Sequence, residues 1–422
     1  MRPARFEEQF KKLTEIGSVA RGKSKHRPRN DPALYGGAYP FIQTGDVKHS
    51  NFYLAAYSQT YNEKGLAQSK LWQPGTLCIT IAANIADTAI LKIPACFPDS
   101  IIGFTAKPEV SDVRFVKYCL DSYKGQMQAI SQGTTQDNMS LEKLLSIRFR
   151  VPSYDTQKKI AAILSAYDDL IENNRRRIAL LEKMAKEIYR EWFVRMRFPG
   201  HEQAKFEKGV PVGWVELASS EVFDVLSGGT PKTDVSAYWD GQIPFFTPKD
   251  AGDNFYALDT EKHITANGLK SCNSRLYPKE TIFITARGTV GKLALANREM
   301  AMNQSCYALA PKMAGPVFFH FMTIKGAINY LKGVSKSGIF DNIIVDTFKT
   351  VPILMPCEEQ IVSFNKVVGP VFQQILGLME TNALLAKKRD VFLPRLISGK
   401  LPVEDLDIRF PPSMAEETAH EA

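Results

Sequence analysis

Apolar residues recur every seven positions along two long stretches of the chain, near residues 156–196 and 361–396. An amphipathic stripe of this length must be buried against another helix. Because a folded module separates the two helices in the sequence, the simplest way to bury both stripes is to pack the helices against each other. Asn174 and Asn382 lie on the stripe, where they either fix the register, as buried asparagines do in coiled coils, or act as solvent-facing or capping amides. The predicted packing positions are Ile160, Tyr167, Asn174, Leu181 and Ile188 of the first helix and Ile361, Val368, Ile375, Asn382 and Leu385 of the second.

Ahead of each long helix lies a module of short strand-like runs and shorter helices. β-branched and aromatic residues around Gly- or Asn-bearing turns favour hairpins. Predicted strands cover 76–81, 88–93, 281–285 and 293–296, and predicted helices cover 113–129 and 316–333.

The two modules repeat each other at a constant offset of 204 residues. Leu13 recurs as Leu217, Pro40-Phe41 as Pro244-Phe245, and Asp137-Asn138 as Asp341-Asn342. This period is far longer than the 20–50 residues of solenoid repeats. The pattern predicts an α+β fold that is internally duplicated, with two similar domains each followed by a long helix.

The predicted segments follow from the same pattern. They are a first module at 1–152, a first helix at 153–197, a linker at 198–213, a second module at 214–355, a second helix at 356–398 and a tail at 399–422. Pro370 predicts a late start or a kink in the second helix, and Pro394 a kink or an end. The tail loses its apolar pattern from Pro411 onward, and we expect that end to be disordered.

Composition indicates the cellular compartment of the protein and the chemical class of its partner. No apolar run approaches about 18 residues, so we expect no membrane span. The six cysteines are scattered without a C-x-x-C pair, which favours reduced thiols in a cytoplasmic protein. Residues 1–152 hold 20 Lys/Arg against 13 Asp/Glu, and the rest of the chain holds 33 against 32. A basic first module fits a polyanion, because neutralised phosphates release counterions.

One motif indicates a nucleotide site. Residues 17–24 satisfy G-x-x-x-x-G-K-S, which in a P-loop lies between a strand and a helix. Residues 12–16 could supply the strand, but two prolines in the following eight residues argue against the helix. No catalytic set occurs in both modules, as a duplicated enzyme would require, so we predict a non-catalytic chain. We also predict no metal site, since the histidines show no ligand spacing.

Polar loops at corresponding places in the two modules are the candidate DNA contacts. The first module crowds basic residues into positions 21–29, and both modules place polar side chains after the shared Pro-Phe and at hairpin tips. Solvated loops and ordinary hairpin tips remain the alternative. The candidates are Lys23, Ser24, Lys25, Arg27, Arg29, Gln43, Thr44 and Asn84, then Thr230, Lys232, Thr247, Arg287, Thr289 and Lys292.

Several segments together resemble the specificity subunit of Type I restriction–modification systems. The resemblance covers nearly the whole chain. It is carried by residues 40–47, Pro152 with 157–164, 211–214, 228–232 with 243–245, and the ending 393–401. It implies two target-recognition domains, and two conserved helices packed as an antiparallel coiled-coil spacer.

The resemblance also implies a division of labour. Each recognition domain reads one half of an interrupted double-stranded DNA sequence. Two modification subunits methylate adenine at N6 with S-adenosylmethionine, and restriction subunits use ATP and Mg to cleave unmodified DNA. This chain itself would hold no cofactor.

Three other functions remain open at this point. The chain could serve another phage-defence methylase, act as an ATP-binding enzyme through residues 17–24, or be a scaffold that binds no DNA. The recognised bases and the gap length do not follow from the sequence.

Overall fold

The computed structural model describes residues 9–82, 85–132, 140–313, 315–336 and 342–414. The chain divides into two compact units. Unit 1 is Met1–Ile171 with Leu384–Ala422, and unit 2 is Glu172–Ala383. Each of the two long helices contributes residues to both units.

Unit 1 is built on a five-stranded sheet. The strands of the whole unit are β1 (Phe10–Lys11), β2 (Gly17–Arg21), β3 (Tyr35–Phe41), β4 (Tyr53–Leu54), β5 (Gln59–Tyr61), β6 (Leu77–Thr80), β7 (Thr88–Leu91), β8 (Ile101–Ala106) and β9 (Phe149–Arg150). The sheet has the order β2-β8-β6-β7-β4, and β3 pairs with β5 and β1 with β9. Strands β6 and β7 are buried along their whole length, and three of the four residues in each are apolar.

The helices of unit 1 lie between and after these strands in the chain. They are α1 (Leu13–Ile16), α2 (Thr44–His49), α3 (Glu63–Ala67), α4 (Val113–Gln132), α5 (Leu141–Ser146) and the first half of α6 (Tyr154–Tyr189). The strand considered for residues 12–16 is wrong, because α1 lies there. Its Leu13 and Ile16, three residues apart, are both buried, and Glu15 accepts a hydrogen bond from the backbone N–H of Lys12 at 2.7 Å.

Unit 2 repeats this architecture. Its strands are β10 (Phe206–Glu207), β11 (Val210–Pro211), β12 (Val215–Ala218), β13 (Phe223–Ser227), β14 (Trp239–Phe246), β15 (Tyr256–Ala257), β16 (His263–Ile264), β17 (Ile282–Thr285), β18 (Leu293–Ala296), β19 (Ala301–Met302), β20 (Cys306–Pro311) and β21 (Pro352–Met355). Its helices are α7 (Ser219–Val222), α8 (Ala266–Lys270), α9 (Phe318–Lys336) and α10 (Thr347–Thr350), together with the second half of α6 and residues 358–383 of α11 (Glu358–Ile397), whose end belongs to unit 1.

The strand order shows that the two units share one fold. The main sheet of unit 2 runs β13-β20-β17-β18-β15, which matches β2-β8-β6-β7-β4 strand for strand. In both sheets the last strand pairs in parallel, and the remaining pairs are antiparallel. The predicted α+β class and the internal duplication are confirmed.

Within unit 1, α6 and α11 pack against each other in antiparallel directions. Ile160, early in α6, shares a core with Leu396 and Ile397 near the end of α11. Further along α6, the Tyr167 ring lies 6.3 Å from that of Phe392, which is earlier in α11. Leu385, the remaining predicted packing position of this unit, is half-buried.

The same two helices are antiparallel within unit 2. Asn174 Nδ2 donates a hydrogen bond to Asn382 Oδ1 at 2.9 Å, and the Tyr189 ring lies 6.0 Å from that of Phe364. Asn174 is 7% exposed, so the pair is an inter-helix contact and not a solvent-facing amide. The other predicted positions of this unit belong to its core or pack against it, and they are Leu181, Ile188, Ile361, Val368 and Ile375.

A buried carboxylate on α6 ties each unit to the helix. In unit 1, Asp168 accepts a hydrogen bond from Tyr118 of α4 at 2.5 Å and forms an ion pair with Arg389 of α11. In unit 2, Glu182 accepts the backbone N–H of Phe255 at 2.8 Å. Burial raises the pKa of Glu182, while this hydrogen bond opposes the rise.

Both prolines lie inside α11, which begins at Glu358 and ends at Ile397. The prediction that the helix starts at Pro370 is therefore wrong. A mid-helix proline costs roughly 3 kcal/mol because it removes a hydrogen bond and crowds the preceding turn. Burial around it offsets this cost, since Val368 and Phe372 are fully buried and the Phe372 ring stacks on Phe318 at 4.5 Å.

The connecting segments are folded. In the linker at 198–213, Phe198 is 5% exposed and packs against Trp214, and β10 pairs with β11. The expectation that the chain end is disordered is wrong for residues 411–414, since Met414 is buried in the core of unit 1 and Ser413 donates to Asp169 at 2.5 Å. Residues 415–422 lie outside the described part.

His320 of α9 is a buried histidine in the core of unit 2. It is 1% exposed, and its ring lies edge-on to Phe223 and Phe319 at 5.6 and 5.4 Å. Neither ring nitrogen has a hydrogen-bond partner among the described residues. Burial lowers the pKa of His320 from 6.5 to about 4, so the ring is neutral in the folded protein at neutral pH.

We expect this histidine to make unit 2 acid-sensitive. Between pH 6.5 and about 4 the unfolded chain binds a proton that the folded chain does not, so stability falls as the pH falls through this window. The loss should approach about 3 kcal/mol. The variant His320→Phe should lose this pH dependence when denaturant unfolding is followed from pH 7 to pH 4. His49→Phe, which removes an exposed histidine, is the control, and an acid profile of His320→Phe identical to that of the unaltered protein would contradict the assignment.

Candidate nucleic-acid interface

The basic loop of unit 1 is not a P-loop. Residues Gly17–Arg21 form strand β2, and the next helical residues are the 3-10 turn Pro32–Leu34. No helix N-terminus therefore follows Ser24 to receive a phosphate. Ser24 is 5% exposed, with its hydroxyl 3.4 Å from that of Tyr61, so it lies inside the unit and not on its surface. The nucleotide-binding interpretation is wrong.

The backbone of this loop is fixed while its cations point outward. The backbone N–H groups of Lys25 and His26 both donate to Gln68 Oε1, at 2.6 and 3.0 Å. His26 also pairs with Asp31 at 2.7 Å, and the Ala33 N–H and the His26 ring lower the pKa of that carboxyl. A fixed loop loses little conformational entropy on binding.

The four cationic candidates of the loop are all exposed, but two of them already have partners. Arg27 Nη1 donates to the carbonyl oxygens of Ser24 and His26, both at 2.8 Å. Arg29 Nη2 donates to both oxygens of Asp99, at 2.7 and 2.9 Å. Lys23 and Lys25 form no salt bridge with the described residues, so they are the cations best placed for phosphates.

Two further candidates of unit 1 lie at the end of β3. Gln43 Nε2 donates to Gln59 Oε1 of β5 at 2.6 Å, and Thr44 opens helix α2. Asp46 accepts the backbone N–H of Gln43 at 2.8 Å and caps that helix. The candidate Asn84 lies outside the described residues.

Three candidates of unit 2 lie in stretches of chain that reach one turn, residues 303–305. Thr230 donates from its hydroxyl to Gln304 Oε1. The backbone N–H of Arg287 donates to Ser305 O at 3.3 Å, and the Asn303 N–H donates to Phe246 O at 3.0 Å. Thr247 follows Phe246 directly, so three separated stretches of sequence reach this turn.

The side chains of the unit 2 candidates differ in their contacts. Thr247 donates to Asp250 at 2.7 Å, and Arg287 and Thr289 are exposed at the β17–β18 tip. Lys292 Nζ pairs with Asp253 at 3.1 Å. Lys232 is exposed, and its carbonyl oxygen accepts the Trp239 indole N–H at 3.1 Å.

Sequence reasoning missed Asp99 and Gln304, which hold Arg29 and Thr230 respectively. No motif marks either residue. The repeat does not reveal them, because they differ in type and correspond at an offset of 205 residues instead of 204.

The described part of the chain offers no group of three or more His, Cys, Asp or Glu side chains that could hold a metal ion. Its helices also include none long and apolar enough to cross a membrane.

Comparison with known proteins identifies the family. A profile described as the Type I restriction modification DNA specificity domain matches residues 7–183 and 211–369. The chain is 24% identical over 408 residues to the Type I restriction enzyme MjaIX specificity subunit of Methanocaldococcus jannaschii, covering 94% of each protein. It is 22% identical to the HindI specificity subunit of Haemophilus influenzae, covering 92% of this chain and 98% of that one.

The fold has a counterpart among solved structures. The S subunit of a Type I restriction–modification system from M. genitalium aligns with a TM-score of 0.56 at 15% identity, covering 94% of this chain and 98% of that one. The class of structure is thus a duplicated α+β protein with paired long helices.

The chain belongs to the Type I restriction–modification DNA specificity family. It is the DNA-recognition subunit of such a system and not its catalytic component. It binds DNA and assembles with the other subunits of the complex.

We expect the double variant Lys23→Ala/Lys25→Ala to weaken DNA binding by the assembled complex and to flatten its salt dependence. Each phosphate contact contributes about 0.9 to the slope of log K against log salt, so the slope should fall by about 2. Binding isotherms at several salt concentrations measure it. Lys107→Ala is the control, since Lys107 is exposed just past the end of β8, the end remote from Asp99. A slope equal to that of the unaltered protein would place the loop off the DNA.

Proposed function

We propose that this subunit selects a two-part DNA sequence, with each unit reading one half. The observation that supports this most is the repetition of one fold with a polar edge in each unit, formed by different side chains. In unit 1 the edge carries Arg29 and Asp99, and in unit 2 it carries Thr230 and Gln304. Two domains with the same fold but different side chains at the polar edge suit two half-sites of different sequence.

The proposed contacts on DNA divide by chemistry. Lysines and arginines neutralise phosphates, while amides, hydroxyls and guanidinium groups read base edges. Ser24 is left out because it is buried, and Asn84 stays a prediction from sequence. The proposed set is Lys23, Lys25, Arg27, Arg29, Gln43, Thr44, Thr230, Lys232, Thr247, Arg287, Thr289 and Lys292.

We further propose that α6 and α11 set the gap between the half-sites. Both helices contribute to both units, and in each unit they pair through specific contacts, Asn174 with Asn382 and Asp168 with Arg389. Such contacts oppose sliding of one helix along the other.

The catalytic steps are assigned to partners in the cytoplasm. Two modification subunits would bind S-adenosylmethionine, flip out an adenine and methylate its N6, since chemistry on a base requires its extrusion from the stack. Restriction subunits would cleave unmodified DNA with ATP and Mg. Membership of the specificity family and the lack of a repeated catalytic set support this division.

The decisive experiment is adenine-methylation sequencing of a methylation-free host. The host expresses the cognate modification subunit with or without this chain. We expect a two-part methylated motif that disappears when the chain is omitted. A motif that persists without the chain, or no motif from a soluble, associated complex, would overturn the proposal. A partner other than a Type I modification subunit would indicate another phage-defence methylase.

Lengthening both helices should lengthen the gap and leave the half-sites unchanged. One heptad inserted after Ile171 in α6 and one before Leu384 in α11 adds about 10 Å. At 3.4 Å per base pair this is about three base pairs. The same methylation sequencing reads the result. As a control, one heptad of Gly and Ser can be inserted in the linker after Gly209, which leaves both helices intact. An unaltered gap in the helix variant would remove the spacer role.

A further inference from the structure

A tight turn occupies the same place in both units. In unit 1 the Ile101 N–H donates to Pro98 O at 3.0 Å, and in unit 2 the Cys306 N–H donates to Asn303 O at 3.3 Å. Each turn leads into the strand next to the sheet edge, β8 or β20. Asp99 and Gln304 are the second residues of these turns, and both are partly or fully exposed.

The surroundings of the two turns are built from matching backbone contacts. The Ile81 N–H donates to Ser100 O at 3.0 Å, and the Ala286 N–H donates to Ser305 O at 2.8 Å. Ser100 and Ser305 are the same residue type at an offset of 205. The β6–β7 and β17–β18 connections therefore begin beside equivalent turns.

A glycine holds each loop close to its turn. A Cβ on Gly22 would lie 2.2 Å from Pro98 O, and one on Gly228 would lie 2.3 Å from Asn303 O. Only glycine permits this approach of two backbones. The next residue in each loop bonds to the residue just before the turn. The Lys23 N–H donates to Phe97 O at 2.9 Å, and the Gly229 N–H donates to Met302 O at 3.1 Å.

On this common frame, the side chains at the tip differ between the two units. In unit 1 the loop places Arg29 against the carboxylate of Asp99. In unit 2 it places the Thr230 hydroxyl against the amide oxygen of Gln304. Both tip side chains are thus held by a partner before any DNA binds, which lowers the entropy lost on binding.

We propose that Asp99 and Gln304 are equivalent specificity positions, one for each half-site. This rests on the proposed function above. In unit 1, Asp99 uses only Nη2 of Arg29, so it positions the guanidinium while Nη1 keeps donors for a guanine acceptor, O6 or N7. In unit 2, the Gln304 amide offers a donor and an acceptor, which matches N7 and N6 of adenine.

The test is the adenine-methylation motif of single variants in the assembled complex. Asp99→Asn and Arg29→Lys should each relax a G·C pair in one half-site by about tenfold or more and leave the other half-site unchanged. Gln304→Glu should shift an A·T pair of the other half-site toward C·G, because a carboxylate accepts from cytosine N4 but cannot donate to adenine N7. Sites are scored on a plasmid library randomised at each motif position.

Matched substitutions elsewhere control for the change of charge. Glu109→Gln removes a carboxylate from an exposed position beyond the far end of β8, and Gln203→Glu adds one to the exposed 3-10 turn between α6 and β10. Both should leave the motif unchanged. Thermal unfolding of each variant accompanies the sequencing.

The outcomes separate this inference from the function beneath it. If the unaltered protein gives no two-part motif, the proposed function fails and the inference fails with it. If it gives such a motif and the turn variants keep every base of it, the function stands and the turns are not specificity positions. A uniform loss of methylation with an unaltered motif would assign these residues a structural role and would also overturn the inference.

Discussion

The structure depends on the burial of two apolar stripes, one on α6 and one on α11. Neither helix can bury a stripe of this length alone, and each stripe is completed by the other helix and by a recognition domain. Ile160 meets Leu396 in the core of unit 1, and Ile375 and Val368 lie in the core of unit 2. A change in the helix pair would therefore disturb both domain cores at once.

The domains can diverge at their edges because their frames are independent of the tip residues. The frame consists of backbone hydrogen bonds and of glycines such as Gly22 and Gly228, which tolerate no side chain. The tips carry Asp99 in one unit and Gln304 in the other, and neither side chain contributes to a hydrophobic core. Recognition and folding thus rely on different atoms, which lets sequence preference change without loss of stability.

Periodicity in the sequence is enough to predict the two long helices and the duplication, since these follow from the burial of regular stripes. It places Asn174 and Asn382 on the stripes but leaves open whether they pair. The sequence also predicts strands such as Leu293–Ala296. It does not predict the turns, because Asp99 and Gln304 meet their partners only through tertiary structure. Two local signals differ from the structure. A P-loop pattern covered strand β2, and Pro370 lies within an unbroken helix because the packing of Phe372 outweighs its local cost.

To read DNA bases, a domain must be oriented on its helix as well as attached to it. The contacting groups must lie within roughly 0.5 Å of their productive positions. Apolar burial alone is non-directional and leaves orientation weakly defined. Asp168 and Glu182 supply direction, since a buried carboxylate is tolerated only where its hydrogen-bond donors are in place. A rotated domain would leave that charge unpaired, at a cost of several kcal/mol. The same burial that makes these carboxylates poor sources of stability thus makes them strong constraints on orientation, and accurate placement of the recognition edges follows from that constraint.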